Sequence, residues 1–330
     1  MSREKILVTG GAGYVGAVLV PKLINAGYDV VVFDLMLYGA DVLQSCDPAH
    51  LDTVKGDIRD QAALKAAMVG VNQVIHLACI SNDPSFELDP ELGRSINRDA
   101  FRPLVEIARD AGVHRFIYAS SSSVYGIKST PNVTEDMPCE PLTDYSRFKA
   151  ECETILAEYQ SDSFTTVTIR PATVCGYSPR QRLDVIVNIL TNHAYHNRQI
   201  KVFGGDQLRP NIHIADMTDL YIKLLREDKT RVAGKIYNAG YENHPVREIA
   251  QMVKAAIGED VGIVTTPTDD NRSYHVSSQK IARELGFVAT HTIEEAVADL
   301  KKAFDDGLLP NSFEDARYFN IKTMQAVDLH

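Results

Sequence analysis

Thr9-Gly10-Gly11-Ala12-Gly13-Tyr14-Val15-Gly16 lies between an apolar run at residues 5–9 and an amphipathic segment at residues 15–26 that ends on Gly27. Glycines 11, 13 and 16 have the G-x-G-x-x-G spacing, placed where a strand ends and a helix opens. Glycine permits the tight turn and lets backbone N–H groups approach a pyrophosphate at the positive end of the helix. A second apolar run, residues 30–33, ends in Asp34. Its offset from the turn suits a carboxylate that bonds the hydroxyls of an adenosine ribose. A carboxylate there repels a 2′-phosphate, so the pattern predicts NAD rather than NADP. Gly10, Gly13, Tyr14, Val15 and Asp34 are the first expected cofactor contacts.

Further short apolar runs at 73–77, 116–119 and 165–169 alternate with helical candidates at 61–68, 90–111 and 144–159. Continuous apolar runs of this kind suit parallel strands covered on both faces. The expected fold class is α/β, a Rossmann-type doubly wound parallel sheet over residues 1–170. After Pro171 the texture changes: helical segments at 183–197, 216–226, 246–257 and 292–304 are separated by loops rich in glycine, proline and arginine. Residues 171–330 are therefore expected to form mainly a smaller C-terminal substrate-binding lobe, interleaved with returning elements of the first domain.

Composition narrows the function. The formal net charge is −10, with no run of lysine and arginine. Nucleic acid and anionic membrane surfaces require a basic patch and are excluded as expected partners. No apolar stretch reaches the roughly 20 residues of a membrane helix, and the chain opens directly on a strand-like run, so a cytoplasmic location is expected. The five cysteines (46, 79, 139, 152 and 175) are scattered, with neither C-x-x-C nor zinc spacing. His193 and His196 stand three apart on a helical segment without a nearby acid, which reads as two surface histidines and no metal site. His76, ending an apolar run, reads as a core histidine.

Tyr145-Ser146-Arg147-Phe148-Lys149 places a tyrosine and a lysine at i and i+4, on one face of a helix. An ammonium beside a phenol stabilises the phenolate, which can then accept a hydroxyl proton. Upstream, Ala119-Ser120-Ser121-Ser122-Ser123-Val124-Tyr125-Gly126 puts hydroxyls at a strand's carboxyl end, where open α/β sheets carry their chemistry. Asp57, after a third short strand, suits either an adenine contact or a cap for the helix starting at Gln61.

Taken in order and spacing, TGGAGYVG, Asp34, His76-Leu77-Ala78, SSSSVYG, Tyr145 with Lys149 and Arg170-Pro171 resemble the extended short-chain dehydrogenase/reductase family, in its NAD-dependent nucleotide-sugar epimerase/dehydratase branch. The resemblance implies Tyr145 as general base, Lys149 as the group that lowers its pKa and holds the nicotinamide ribose, and Ser121 as a partner of the sugar hydroxyl. It implies cofactor contacts from Asp57, Ile58, Leu77, Ala78, Pro171, Thr173 and Val174, and a structural position near the site for Asn97. Ser122 and Arg182 would face the sugar nucleotide, Arg209 would hold its diphosphate, and Arg272 is a second candidate for that task. Cys79 would sit near the active-site loop, as packing or as an acid. A homodimer through the helices at 97–111 and 144–159 is also implied.

Dehydratases of this branch carry an acidic pair where Ser122 and Ser123 stand, and related decarboxylases carry a glutamate at the position of Ser123. The expected reaction is therefore hydride chemistry at one carbon, a 4-epimerisation of a nucleotide-diphosphate sugar through a transient 4-keto sugar. The alternative is a dehydrogenase that releases the keto sugar. In favour of that alternative, the SNDPS loop, the RQRLD segment and the C-terminal tail resemble GDP-heptose 4-dehydrogenase-like members. A non-catalytic NAD sensor is a third reading, set against the retention of both Tyr145 and Lys149.

Overall fold

Alternating aliphatic side chains build the centre of the molecule. In the computed structural model, which describes residues 3–81, 83–128, 130, 132–268, 273 and 275–327, Ile6 and Val8 of the first strand pack to one side and Leu7 to the other. Twelve strands are present among the described residues: β1 Lys5–Thr9, β2 Asp29–Asp34, β3 Leu51–Lys55, β4 Gln73–His76, β5 Arg115–Ala119, β6 Thr165–Pro171, β7 Thr173–Cys175, β8 Gln199–Phe203, β9 Leu208–His213, β10 Lys235–Ala239, β11 Glu242–Pro245 and β12 Gly262–Thr266. Seven of them pair in parallel in the order β3-β2-β1-β4-β5-β6-β10. Strand order reverses between β1 and β4, which opens a crevice at the carboxyl ends of the strands.

One face of this sheet is covered by helices Gly16–Asn25 and Ile214–Arg226, whose Leu19, Leu23, Leu220 and Leu224 join Val30, Val32, Ile75 and Ile117 in one apolar cluster. The other face is covered by Gln61–Ala67, Phe101–Asp110 and Asp144–Ala157, through Leu64, Leu104 and Leu156 packed on Val31, Phe33 and Phe116. Both β10 and helix Ile214–Arg226 come from beyond residue 171, so the second half of the chain completes the first sheet.

A separate cluster joins helices Ile186–Asn197, Val246–Ile257 and Ile293–Asp305 to the β8–β12 pair. Ile293–Asp305 starts at a capping box, with Glu295 N–H donating to Thr292 Oγ1 and Thr292 N–H to Glu295 Oε2. A further small sheet pairs β11-β9-β7. No helix among the described residues is long and apolar enough to cross a membrane.

The segment expected as one regular helix at 90–111 differs. It is helical at Pro90–Arg94 and Phe101–Asp110, but Ser95–Asp99 forms a π turn in which Ala100 N–H donates to Ser95 O at 3.1 Å. Pro103 has no N–H, and its ring crowds the carbonyl four residues back, Asp99. The widened turn ends at that residue. It also directs Asn97 inward, where its side chain accepts from Ile80 N–H at 2.8 Å and donates to Ile80 O at 2.9 Å. The π turn thus braces the loop after β4.

Candidate active site

A cavity of about 470 Å³ lies along the carboxyl ends of β1, β2, β4, β5 and β6. Its first section is the glycine turn. Gly10 has φ +74°, and a Cβ there would lie 2.6 Å from Ala78 N, so only glycine lets β1 and the β4 loop close together. A Cβ at Gly16 would lie 2.5 Å from Gly11 O, so the helix start also needs a bare backbone. Gly13 is different: a Cβ there would meet only Gly10 O, at 3.1 Å, leaving its other side open to a ligand. Tyr14 anchors the turn to the loop after β7 and to helix Ile186–Asn197. Its hydroxyl donates to Gly176 O at 2.7 Å and accepts from Asn188 Nδ2 at 3.0 Å, while burial pushes its pKa up and keeps it a neutral phenol.

Asp34, ending β2, accepts from Ala12 N–H at 3.0 Å and from Met36 N–H at 2.8 Å. Burial raises its pKa, and those two N–H donors oppose the rise. The carboxylate is therefore oriented into the cavity beside the glycine turn, as a ribose-binding acid needs to be. Asp57 and Ile58 line the next section. Burial pushes the Asp57 carboxyl up, but Arg59, bonding it through guanidinium and backbone N–H, outweighs this and holds it low. The cap of helix Gln61–Ala67 is Asp60, which accepts from Ala62 and Ala63 N–H, so the capping alternative for Asp57 falls to its neighbour. These features fit an adenine dinucleotide: an open glycine face for the pyrophosphate, and an oriented acid for the ribose.

If Asp34 reads the ribose hydroxyls, Asp34→Asn should lower the NAD-to-NADP affinity ratio by about tenfold or more, the worth of a hydrogen bond to a charged group. Fluorescence titration of both cofactors measures this. An unchanged ratio would remove Asp34 from cofactor selection.

The reactive section follows. Helix Asp144–Ala157 starts at Thr143, whose Oγ1 accepts from Ser146 N–H at 3.3 Å. Tyr145, Lys149 and Glu153 lie along one face at i, i+4 and i+8. Lys149 is buried; its Nζ donates to Ala119 O at 2.7 Å, at the end of β5, and lies 5.9 Å from the Tyr145 ring centroid. Ser121 caps the short turn Ser122–Tyr125, accepting from Ser123 N–H at 3.1 Å. A hydroxyl chain continues from it: Ser121 Oγ to Ser123 Oγ at 2.9 Å, Ser146 Oγ to Ser123 Oγ at 2.9 Å, and Ser146 Oγ to Thr143 Oγ1 at 3.0 Å. The serine loop is thereby fixed on the helix that carries Tyr145.

Below it lies a buried polar network. Arg170 bonds Glu153 through Nε at 3.0 Å and Nη2 at 2.6 Å, and donates through Nη1 to Tyr125 Oη at 2.7 Å. Ser120 Oγ donates to Glu153 in a short hydrogen bond, and Tyr125 Oη donates to Asn238 on β10 at 2.7 Å.

Leu77, Ala78, Pro171, Thr173, Val174, Ser122, Arg182 and Arg209 also line the cavity, as does Cys79. Arg272 lies outside the described residues. His76 is buried, with Nδ1 2.6 Å from Thr9 Oγ1; burial, and then Lys149, push its pKa down to about 3, so it is neutral. His193 and His196 pack their rings on Phe313, at 5.1 and 5.8 Å. Tyr38, Arg180, Asp184 and Asn320 line the cavity too, without having been expected there. Arg180 and Asp184 flank Arg182 in the RQRLD segment, but nothing local in the sequence marks Asn320 as part of a pocket 282 positions away from Tyr38.

Residues 6–240 match the model of the NAD dependent epimerase/dehydratase family. The UDP-glucose 4-epimerase of Corynebacterium glutamicum is 26% identical over 92% of this chain and 96% of its own length. The structure of MoeE5 in complex with UDP-glucuronic acid and NAD is 27% identical, covering 92% of this chain and 99% of that one, with a TM-score of 0.78. The dTDP-glucose 4,6-dehydratase DesIV from Streptomyces venezuelae, with NAD and TYD bound, shares the fold at a TM-score of 0.82 and 24% identity, over 92% of this chain and 97% of its own.

Proposed function

This chain belongs to the NAD dependent epimerase/dehydratase family, and on that premise we propose that it is a 4-epimerase of a nucleotide-diphosphate sugar, acting through a transient 4-keto sugar. The observation that carries the reading is the gathering of Tyr145, Lys149 and Ser121 in the cavity of the glycine turn and Asp34, with hydroxyls at Ser122 and Ser123. Gly13, Asp34 and Lys149 would hold NAD, which would supply reversible hydride transfer at C4.

The chain's own groups manage the proton and the pose. Tyr145 accepts the C4 hydroxyl proton on its phenolic oxygen and returns it to the same oxygen of the product. Lys149, tethered to Ala119 O, keeps a positive charge beside that phenol and favours its ionised form. Ser121, its hydroxyl fixed by Ser123, directs the sugar hydroxyl toward Tyr145. Arg209 and Arg182 hold the anionic part of the sugar nucleotide.

Elimination of water needs an acid and a base beside the leaving hydroxyl. Among the described residues the carboxylates lining the cavity are Asp34, Asp57 and Asp184, engaged respectively with backbone N–H groups, Arg59, and Arg182 with Asn320. That arrangement supports epimerisation over dehydration. The reading extends to a cytoplasmic homodimer through helices Phe101–Asp110 and Asp144–Ala157. Within one chain the two helices are joined by Tyr159, whose Oη donates to Glu106 at 2.6 Å and accepts from Arg102 at 2.9 Å.

The test incubates purified protein and NAD with UDP-, GDP-, dTDP- and CDP-sugars, following reduced-nicotinamide absorbance and resolving products by chromatography. A C4 epimer, with at most a stoichiometric absorbance rise, is expected. Continuous accumulation of reduced nicotinamide on one sugar would replace the epimerase with a dehydrogenase. Bound NAD without turnover on any sugar would favour a sensor.

A further inference from the structure

The end of the chain folds back onto the cavity. Leu183 N–H donates to Tyr318 O at 2.8 Å, and helix Asn320–Ala326 follows, with Asn320 and Met324 in the cavity wall. Asn320 is buried, and both polar atoms of its side chain are hydrogen-bonded. Its Oδ1 accepts from Arg180 Nη2 at 2.5 Å and from Tyr38 Oη at 3.2 Å, and its Nδ2 donates to Ser81 Oγ at 2.6 Å. Its backbone N–H donates to Asp184 Oδ2 at 2.9 Å, and the other oxygen of Asp184 accepts from Arg182 Nε at 2.6 Å. One residue thus ties together the loops after β2, β4 and β7.

Two guanidinium groups are held in this wall, two residues apart. Arg180 is 4% exposed and stacks on Tyr38, with its guanidinium carbon 3.5 Å from the ring centroid. Its Nε is buried and has no hydrogen-bond partner among the described residues. A buried cationic donor left unfilled is costly unless a ligand completes it. Guanidinium groups suit phosphate oxygens, which they bond in planar pairs.

We propose that Asn320 is a positioning residue that aims Arg180 directly, and Arg182 through Asp184, at the anionic part of the nucleotide sugar. The C-terminal segment thereby sets affinity for the substrate. This rests on the reading of the cavity as a nucleotide-diphosphate-sugar site. A side chain that only fastened the C-terminal helix would change stability without coupling to Arg180.

The experiment makes Asn320→Ala, Arg180→Met and the double variant in the full-length protein. It measures KM and kcat on the sugar that the wild type converts, Kd for UDP and GDP by calorimetry, retained NAD and Tm. Asn320→Ala should raise KM and the diphosphate Kd about tenfold, the scale of one charge-assisted hydrogen bond, with kcat changed less than about threefold and NAD retained. The double variant should bind little worse than Arg180→Met, because the two changes remove one interaction. Additive losses, or an Asn320→Ala protein with unchanged KM and Kd, would overturn the proposal. Should Asn320→Ala not fold, Asn320→Asp keeps the acceptor for Arg180 and the N–H to Asp184. Because it also sets a carboxylate against Arg180, a loss of diphosphate affinity of about tenfold or more with NAD retained supports the proposal, and wild-type-like affinity overturns it. If the wild type converts no nucleotide sugar, the epimerase reading fails on turnover, while the UDP and GDP titrations still decide the role of Asn320.

Discussion

Replacing Tyr145 with phenylalanine should lower kcat by about a hundredfold to ten-thousandfold, the range general-base removal produces, while NAD remains bound. The change deletes one oxygen and keeps the ring. Packing of helix Asp144–Ala157 is therefore untouched, since its buried side chains are Ser146, Phe148, Lys149, Cys152, Glu153, Ile155 and Leu156. What disappears is the atom proposed to receive the C4 hydroxyl proton. Lys149, still tethered to Ala119 O at 2.7 Å, cannot replace it, because its charge acts by stabilising the phenolate. Tm and the absorbance of bound cofactor serve as controls. Turnover within about tenfold of wild type would mean that another group carries the proton.

The second large effect is on stability. Glu153→Ala removes the carboxylate that faces Arg170 at 2.6 Å, in a place where both side chains are almost fully buried. Breaking such a pair costs about 3–5 kcal/mol, because the guanidinium is left charged and uncompensated. For a chain of this length that corresponds to a fall in Tm of about 4–7 °C. Converting both residues to methionine should recover part of the loss, since the buried charge then disappears altogether. Ser120, bonded to the same carboxylate, precedes Ser121, so loosening should also reach the serine loop that lines the cavity. Thermal unfolding of the single and double variants decides this. Equal Tm values for wild type and Glu153→Ala would show that the ion pair is not a structural keystone.

The parts of the site legible in the sequence are those encoded within one turn or one helix face. The glycine turn, the serine-rich strand end and the Tyr145–Lys149 spacing each carry their own geometry, and each lies in the cavity. Glu153 was within reach of the same argument, one further step of four along that face. The π turn also had a local sign in Pro103, since a proline so placed disturbs the preceding turn. Asn320 had none: its role arises when the chain's end packs against Tyr38 and Ser81, contacts 282 and 239 residues apart. The return of β10 to the central sheet is likewise a matter of tertiary pairing, as a five-residue strand far along the chain carries no marker of its sheet.

The central claim is that C4 of the sugar is oxidised and then restored within one cavity. The most direct measurement places deuterium on C4 of the substrate sugar and follows it through one conversion in ordinary water, by mass spectrometry and NMR of the product. The account predicts a C4 epimer with deuterium still on C4, because the atom that leaves that carbon returns to it. Deuterium lost to solvent, or a keto sugar released with the label gone from C4, would contradict it.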